Sequence, residues 1–418
     1  MSWLDEPLRR VLSFIFYKAR YFLYLRGKPS TLKTNYQSLY VAYDQFPSYK
    51  GAATHIYHMV ETLDETVPET LLATLAPKED CTLKVPVAHH KVFIDEQNFL
   101  KRAQRFSAEV DSLIEKQSNL VIGHFRDIWG GVAVLNHPHM ASIFEVNSLP
   151  SIELPYRYPL LPAETLDKIK QLEEHCLTQS DIIICPSEVI KKHLVANQII
   201  ESKIHVVTNG ADLPEAQEAH PALPEDYLLY FGAVQPWQGV DILLKSLNYL
   251  QDITDLKLVI CCANQEKFTR PLKKLARNLD LEDRVIWLHQ QDKRTLQQII
   301  QHALCTIAPL TECSRNIEQG CSPLKIFESM ACGTPIIASD LPVVREILTP
   351  DHDGKFFRPG RPAELARCIR LLYDYPEIRD QLGNNAKATL VSKYQWPMIK
   401  KQLSTIYEDV LTNTHQLL

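Results

Sequence analysis

At 418 residues the chain exceeds what one hydrophobic core usually fills, so two domains are the expectation. A formal net charge of −5 gives no electrostatic reason to expect nucleic acid as a partner, and no apolar run reaches bilayer-spanning length. The ten cysteines are scattered without zinc-ligand spacing, which fits reduced thiols in a cytoplasmic protein.

Residues 1–37 differ from the rest. They carry Arg9, Arg10, Lys18, Arg20, Arg26, Lys28 and Lys33 against Asp5 and Glu6, with Leu4, Leu8, Val11, Leu12, Ile15, Ala19, Phe22 and Leu23 at helical spacing. A basic amphipathic helix of this kind suits either a membrane interface or a seat on the protein's own surface. The first alternative, through residues 1–30, would hold the protein peripherally on the cytoplasmic face of a membrane.

From residue 38 onward, apolar strands alternate with amphipathic helices, the pattern of an α/β chain whose parallel sheets are covered on both faces. LYVAY (39–43) predicts the first strand and HIYHMVETL (55–63) the first helix, with Gly51 in the loop between them. A charged helix over 97–117 leads into the strand NLVIGH (119–124). HFRDIWGG (124–131) then sets His124, Arg126, Asp127 and Trp129 in a loop beyond that strand's carboxyl end, where ligands gather in open α/β sheets. Arg126 has two uses there, a phosphate or acidic acceptor on one hand and a structural pair with Asp127 on the other. The strand ASIFEV (141–146) follows, with Glu145 or Asn147 at its end as hydrogen-bonding candidates.

LDKIKQLEEHCLTQS predicts a helix, DIIICPSEVIKKHL a strand, turn and helix, and KIHVVTNGADL the last strand of a first domain spanning 38–213, with Asn209-Gly210 as a turn. PEAQEAHPALPED (214–226) is the natural linker, and YLLYFGAV opens a second domain over 227–393. A final segment, 394–418, is mostly one helix. Asp351-His352-Asp353 mimics a metal-binding DxD motif, but its place in a turn before Gly354 argues against it, and no metal is expected.

The stretch 315–346 carries most of the chemistry. Ser322 fits an N-cap and Pro323 the first helical position, so a helix should start there, run through Leu324, Ile326, Phe327 and Met330, and stop at Gly333. Lys325 and Glu328 then share a face near the helix start, where unpaired amides and the dipole favour an anion. That is a seat for phosphate, and a carboxylate one turn deeper suits the vicinal hydroxyls of a ribose.

PLKIFESMACGTPIIASDLPVVREIL (323–348) resembles the donor-binding motif of retaining GT-B glycosyltransferases of family four, the glycosyl transferases group 1 type, and the resemblance extends over about residues 39–412. It implies two Rossmann-like, doubly wound domains facing across a cleft, the first presenting a hydroxyl acceptor and the second binding a nucleotide sugar, with a last helix crossing back to the first. It also implies that Glu328 binds the donor ribose, that Ser322, Pro323, Leu324 and Lys325 hold the diphosphate, and that loops carrying Gly51 and Gly232 approach the phosphates. The family's phosphate loop keeps Gly232, Pro236, Trp237 and Gly239, but Ala233 and Gln238 stand where arginine and lysine are usual. Gly320 stands where many members carry another glutamate, and Arg315, Asn316 and Gln319 are the candidates to take over its contacts. Many relatives present a histidine at the strand end occupied here by Glu145 or Asn147, so these two and Arg126 are the catalytic candidates.

The function so implied is retaining transfer of a sugar from a nucleotide-diphosphate sugar to a hydroxyl of a glycan or lipid-linked acceptor, by front-face displacement and without a cofactor. The alternative is a binding or scaffold protein on a weakened transferase fold, motivated by Ala233, Gln238 and Gly320. An epimerase or phosphorylase of the same architecture ranks lower for want of a pyridoxal-lysine motif, and a dinucleotide enzyme for want of GxGxxG.

Overall fold

The computed structural model describes residues 35–77, 83–263 and 266–415, so the expected amphipathic helix of the N-terminal segment lies outside the described residues. The first sheet has seven strands: β1 (Ser38–Gln45), β2 (Thr70–Leu75), β3 (Ala88–Val92), β4 (Ile122–Phe125), β5 (Ala141–Glu145), β6 (Ile182–Cys185) and β7 (Ile204–Val206). They lie in the order β3-β2-β1-β4-β5-β6-β7 and every pairing is parallel. All six residues of TLLATL in β2 are buried, as a strand covered by helices on both faces requires. One apolar cluster built around Phe106, Phe125 and Phe144 packs one face, and another built around Tyr40, Ile56 and Tyr407 packs the opposite one.

The second sheet has six strands: β8 (Tyr227–Gly232), β9 (Lys257–Cys262), β10 (Val285–His289), β11 (Cys305–Ala308), β12 (Ile336–Ser339) and β13 (Lys355–Phe357). Their order is β10-β9-β8-β11-β12-β13, again parallel throughout. In each sheet the winding reverses once, between β1 and β4 and between β8 and β11. A crevice opens at the carboxyl ends of strands at such a reversal, and the chain runs out of these strands into Arg126 in one domain and past Gly232 in the other.

Several local expectations shift. The first helix begins at Gly51, earlier than the apolar pattern indicates, and runs to Thr66. His124 lies inside β4 and not in a loop, and Asp127 caps the helix Ile128–Leu135 by accepting from Trp129 N and Gly130 N, so Trp129 is helical. Asp127 is therefore occupied by backbone amides, and Arg126 pairs elsewhere. The segment after β5 contains a short helix, Pro150–Arg157, that periodicity does not reveal because only Pro150 and Leu154 of its residues are buried and a proline, Pro155, stands inside it.

The last helix, Trp396–His415, packs on the first domain. Trp396 stacks on His58 with ring centroids 4.0 Å apart, Thr66 Oγ1 donates to Ser404 Oγ, and Tyr407 lies 2.8 Å from His124 Nδ1. No described helix is long and apolar enough to cross a membrane.

Candidate functional site

Between the two sheets lies a cleft of about 1270 Å³, lined from one side by Gly51, His55, Arg126, Asn147 and Asn209 and from the other by Gly232, Gln238, Arg315, Ser322, Lys325 and Glu328. The two walls are close. A side chain at Gly51 would meet Leu324 Cδ1 at 2.8 Å, so the start of the first helix abuts the start of the helix Leu324–Cys332.

That second helix begins one residue later than its sequence suggests. Pro323 is the cap residue, Leu324 is the first helical position, and no side chain caps the end. Ser322 does not act as a cap because its atoms serve another bond: Oγ accepts from Asn209 N at 3.3 Å and its carbonyl accepts from Asn209 Nδ2 at 2.7 Å.

Lys325 reaches back over the second sheet. Its ammonium donates to Gln238 Oε1 at 2.7 Å and lies 4.0 Å from the Tyr230 ring centroid, beside Gly232. Burial pushes Lys325 down to about 7. Burial pushes Glu328, one turn on, up to about 7, and the nearby Lys293 and Lys325 offset this only in part. Burial thus brings the titration of both side chains close to neutral pH, where a phosphate beside Lys325 would favour its charged form.

On the opposite wall everything converges on Glu145, which ends β5 and is 1% exposed. Its Oε1 accepts from Arg126 at 2.7 Å and from Asn147 Nδ2, and lies 2.7 Å from His55 Nε2. Its Oε2 accepts from Tyr40 at 2.7 Å and lies 3.1 Å from His124 Nε2. Burial alone would raise this carboxyl, but His55 and Arg126 outweigh it and hold it well below the usual carboxylate range. Glu145 therefore lies beneath the cleft floor, and the groups that reach the cleft are its partners Arg126, Asn147 and His55.

Gly51, Gly232, Arg315, Ser322, Pro323, Leu324, Lys325 and Glu328 all line the cleft. Asn316 and Gln319 do not, and both are wholly buried. They belong to a π-helical turn, Arg315–Gln319, in which Asn316 Nδ2 donates to the carbonyls of Trp237 and Thr311. Gln319 Oε1 accepts from Leu149 N of the first domain, so it braces the domains and is not turned toward a donor sugar. Arg315 is partly committed, with Nε donating to Glu153 at 3.1 Å and its guanidinium 5.5 Å from the Trp237 ring centroid. Asp353 of the DxD-like turn is occupied as well, accepting from Thr349 N and Thr389 Oγ1.

Sequence reasoning missed His55 and Asn209. His55 Nδ1 lies 2.6 Å from Asn209 Oδ1, and together they join Glu145 to Ser322. The available signal was weak: His55 is a polar residue on the buried face of an otherwise apolar helix, and its partners lie 90 and 154 residues away in sequence.

The described geometry coincides with two family matches. Glycosyltransferase Family 4 matches residues 49–215 and Glycosyl transferases group 1 matches residues 214–389. An uncharacterized glycosyltransferase of Methanocaldococcus jannaschii is 26% identical over 187 residues, 44% of this chain and 45% of that protein. The O-antigen chain mannosyltransferase RfbU of Salmonella typhimurium is 24% identical over 230 residues, 55% of this chain and 58% of that protein. These matches span about half the length of the curated relatives. In three dimensions the chain superposes on HepE of Anabaena, solved with UDP-glucose, at a TM-score of 0.71 and 16% identity, covering 90% of this chain and all of that one.

Proposed function

The chain belongs to the GT-B glycosyltransferases of the group 1 and family 4 type, and from that premise we propose that it moves a sugar from a nucleotide-diphosphate sugar to a hydroxyl acceptor with retention of configuration. The observation that carries this reading is the Lys325–Glu328 face of the helix Leu324–Cys332, turned into a cleft whose other wall presents Arg126, Asn147 and His55. Lys325 and the free amides at the helix start serve the diphosphate, and Glu328 accepts from the ribose hydroxyls. Retaining chemistry needs charge stabilisation of the departing diphosphate and of an oxocarbenium-like sugar. In front-face displacement the leaving phosphate takes the acceptor's proton, so the chain need not supply a second carboxylate. Asp353 is held by Thr349 N of its own turn and by Thr389 Oγ1, and the reading requires no metal there.

The acceptor proposed is a glycan or lipid-linked glycan hydroxyl. The likeness to the O-antigen chain mannosyltransferase RfbU supports the first, and the basic residues of segment 1–30 support a membrane-borne substrate on the cytoplasmic face. Deleting residues 2–30 and measuring co-sedimentation with anionic liposomes tests that part, and unchanged binding discards it.

The competing reading, a binding protein on a weakened transferase fold, draws on Ala233 and Gln238, which leave Lys325 without its usual cationic neighbours. Titration calorimetry with UDP and GDP, followed by a screen of their sugar conjugates for hydrolysis, separates the two. The transferase reading fails when no sugar nucleotide binds, or when Lys325→Ala and Glu328→Gln leave glycosyl transfer unchanged.

A further inference from the structure

We infer that His55 is a positioning residue that ties the donor-side helix to the acceptor-side carboxylate, so that closing the domains sets the Ser322–Lys325 turn over Arg126. Its kinetic consequences rest on the transferase reading above, while its geometry does not.

The argument starts from the side-chain amide of Asn209. Its Nδ2 faces the Ser322 carbonyl at 2.7 Å, which only a donor can do, so Oδ1 is the atom turned toward His55. At 2.6 Å from that oxygen, His55 Nδ1 must be the donor. The other ring nitrogen, Nε2, lies 2.7 Å from Glu145 Oε1, so both sides of the imidazole face oxygen atoms. The same Glu145 oxygen accepts from Arg126 and Asn147.

The result is a continuous relay from the Ser322 carbonyl through Asn209, His55 and Glu145 to Arg126, and His55, Asn209 and Glu145 are each no more than 5% exposed. A buried polar chain with its members satisfied is stiff, because turning one member leaves its neighbours unpaired. The titratable groups packed around it are Tyr40 of β1, His124 of β4 and Arg126 beyond it, with Trp396 of the last helix 6.4 Å from the His55 ring. Within this relay the step that crosses between domains is Asn209 to Ser322, at the point where the first domain hands over to the linker, and it stands beside the Gln319–Leu149 and Arg315–Glu153 contacts. When that link opens, the Asn209 amide is free to turn and His55 loses the contact that orients it. His55 thus connects closure to the placement of the cation on the acceptor wall.

The test uses the full chain, in wild type, His55→Gln, Asn209→Asp and the double variant. Asn209→Asp keeps an oxygen toward His55 but places a second oxygen against the Ser322 carbonyl, so it removes the side-chain half of that link and leaves the Asn209 N to Ser322 Oγ bond in place. X-ray scattering in saturating UDP or GDP is expected to show wild type at the radius of this structure and all three variants larger. With a donor found in the screen, kcat is expected to fall about tenfold or more while the donor KM moves less than about threefold, and the double variant is expected to be no worse than the worse single. The inference is overturned when the variants lower the melting temperature but keep the wild-type radius and kcat, or when their effects multiply as independent sites do. A His55→Gln chain that does not fold passes the decision to Asn209→Asp. Absence of transfer by wild type with every donor would count against the proposed function, and the scattering comparison would still decide the tie.

Discussion

Lys325 donates to Gln238 Oε1 at 2.7 Å, so an amide holds in place the buried ammonium on the donor wall of the cleft. Because burial depresses Lys325 to about 7, the side chain releases that proton as the pH rises through neutrality, and binding an anion must restore it. UDP or GDP affinity should therefore fall as the pH goes from 7 to 9, by at most about tenfold per unit. Calorimetry should find this slope in wild type and a weak, flatter profile in Lys325→Ala. Gln238→Lys, which restores the usual cation, should tighten nucleotide binding severalfold.

Glu328 gives the opposite sign for stability. Its folded-state value is raised to about 7 from an ordinary 4.5, so the folded protein binds the proton more tightly, and Glu328 costs stability progressively as the pH rises across that interval. Glu328→Gln should be more stable than wild type at pH 8 by about 1–2 kcal/mol and no different at pH 4, while losing nucleotide affinity. Thermal melts at the two pH values check it.

Glu145 should behave as the keystone of the acceptor wall. Glu145→Gln removes the charge that Arg126 and His55 share, and breaking a buried ionic cluster from one side costs about 3–5 kcal/mol. Because the folded carboxyl is held well below its ordinary value, its contribution is present above the unfolded value and disappears as the pH falls through the folded one. Urea unfolding followed from pH 7 to pH 3 should show a steeper acid loss in wild type than in the variant.

Arg315 is held by Glu153 across the domain boundary at 3.1 Å, in a partly buried pair. Glu153→Gln should release part of that guanidinium charge to the cleft and tighten UDP or GDP binding by about threefold to tenfold, measurable by calorimetry. Unchanged or weaker binding would mean that Arg315 serves only the interface.

Restoring the missing glutamate should not restore its function. Gly320 has φ +84°, a left-handed conformation that side chains rarely adopt, and a Cβ there would meet Val189 Cγ1 at 2.9 Å. Gly320→Glu should lower stability by about 2 kcal/mol or more without improving nucleotide binding, as melting and calorimetry would show.

Much of the scaffold was legible because local rules dominate it. Runs such as LYVAY and ASIFEV are buried on both faces and admit little but parallel strands, and Gly333 ends its helix in the left-handed conformation that a C-cap glycine adopts. The Lys325–Glu328 face was legible for the same reason, since helical spacing alone puts the two side chains together. Ser322 was misread because a cap depends on what else its oxygen can reach, and Asn209 reaches it first.

What the sequence by itself determined was the alternation of elements and the donor-side helix, both set by contacts within a few turns of chain. Only the tertiary structure decided that Glu145 lies under the floor, that Asn316 and Gln319 turn inward, and that His55 and Asn209 join the two walls. Those roles depend on hydrogen bonds between residues 79 to 170 positions apart, and no local pattern encodes which polar groups will meet when two sheets close on each other.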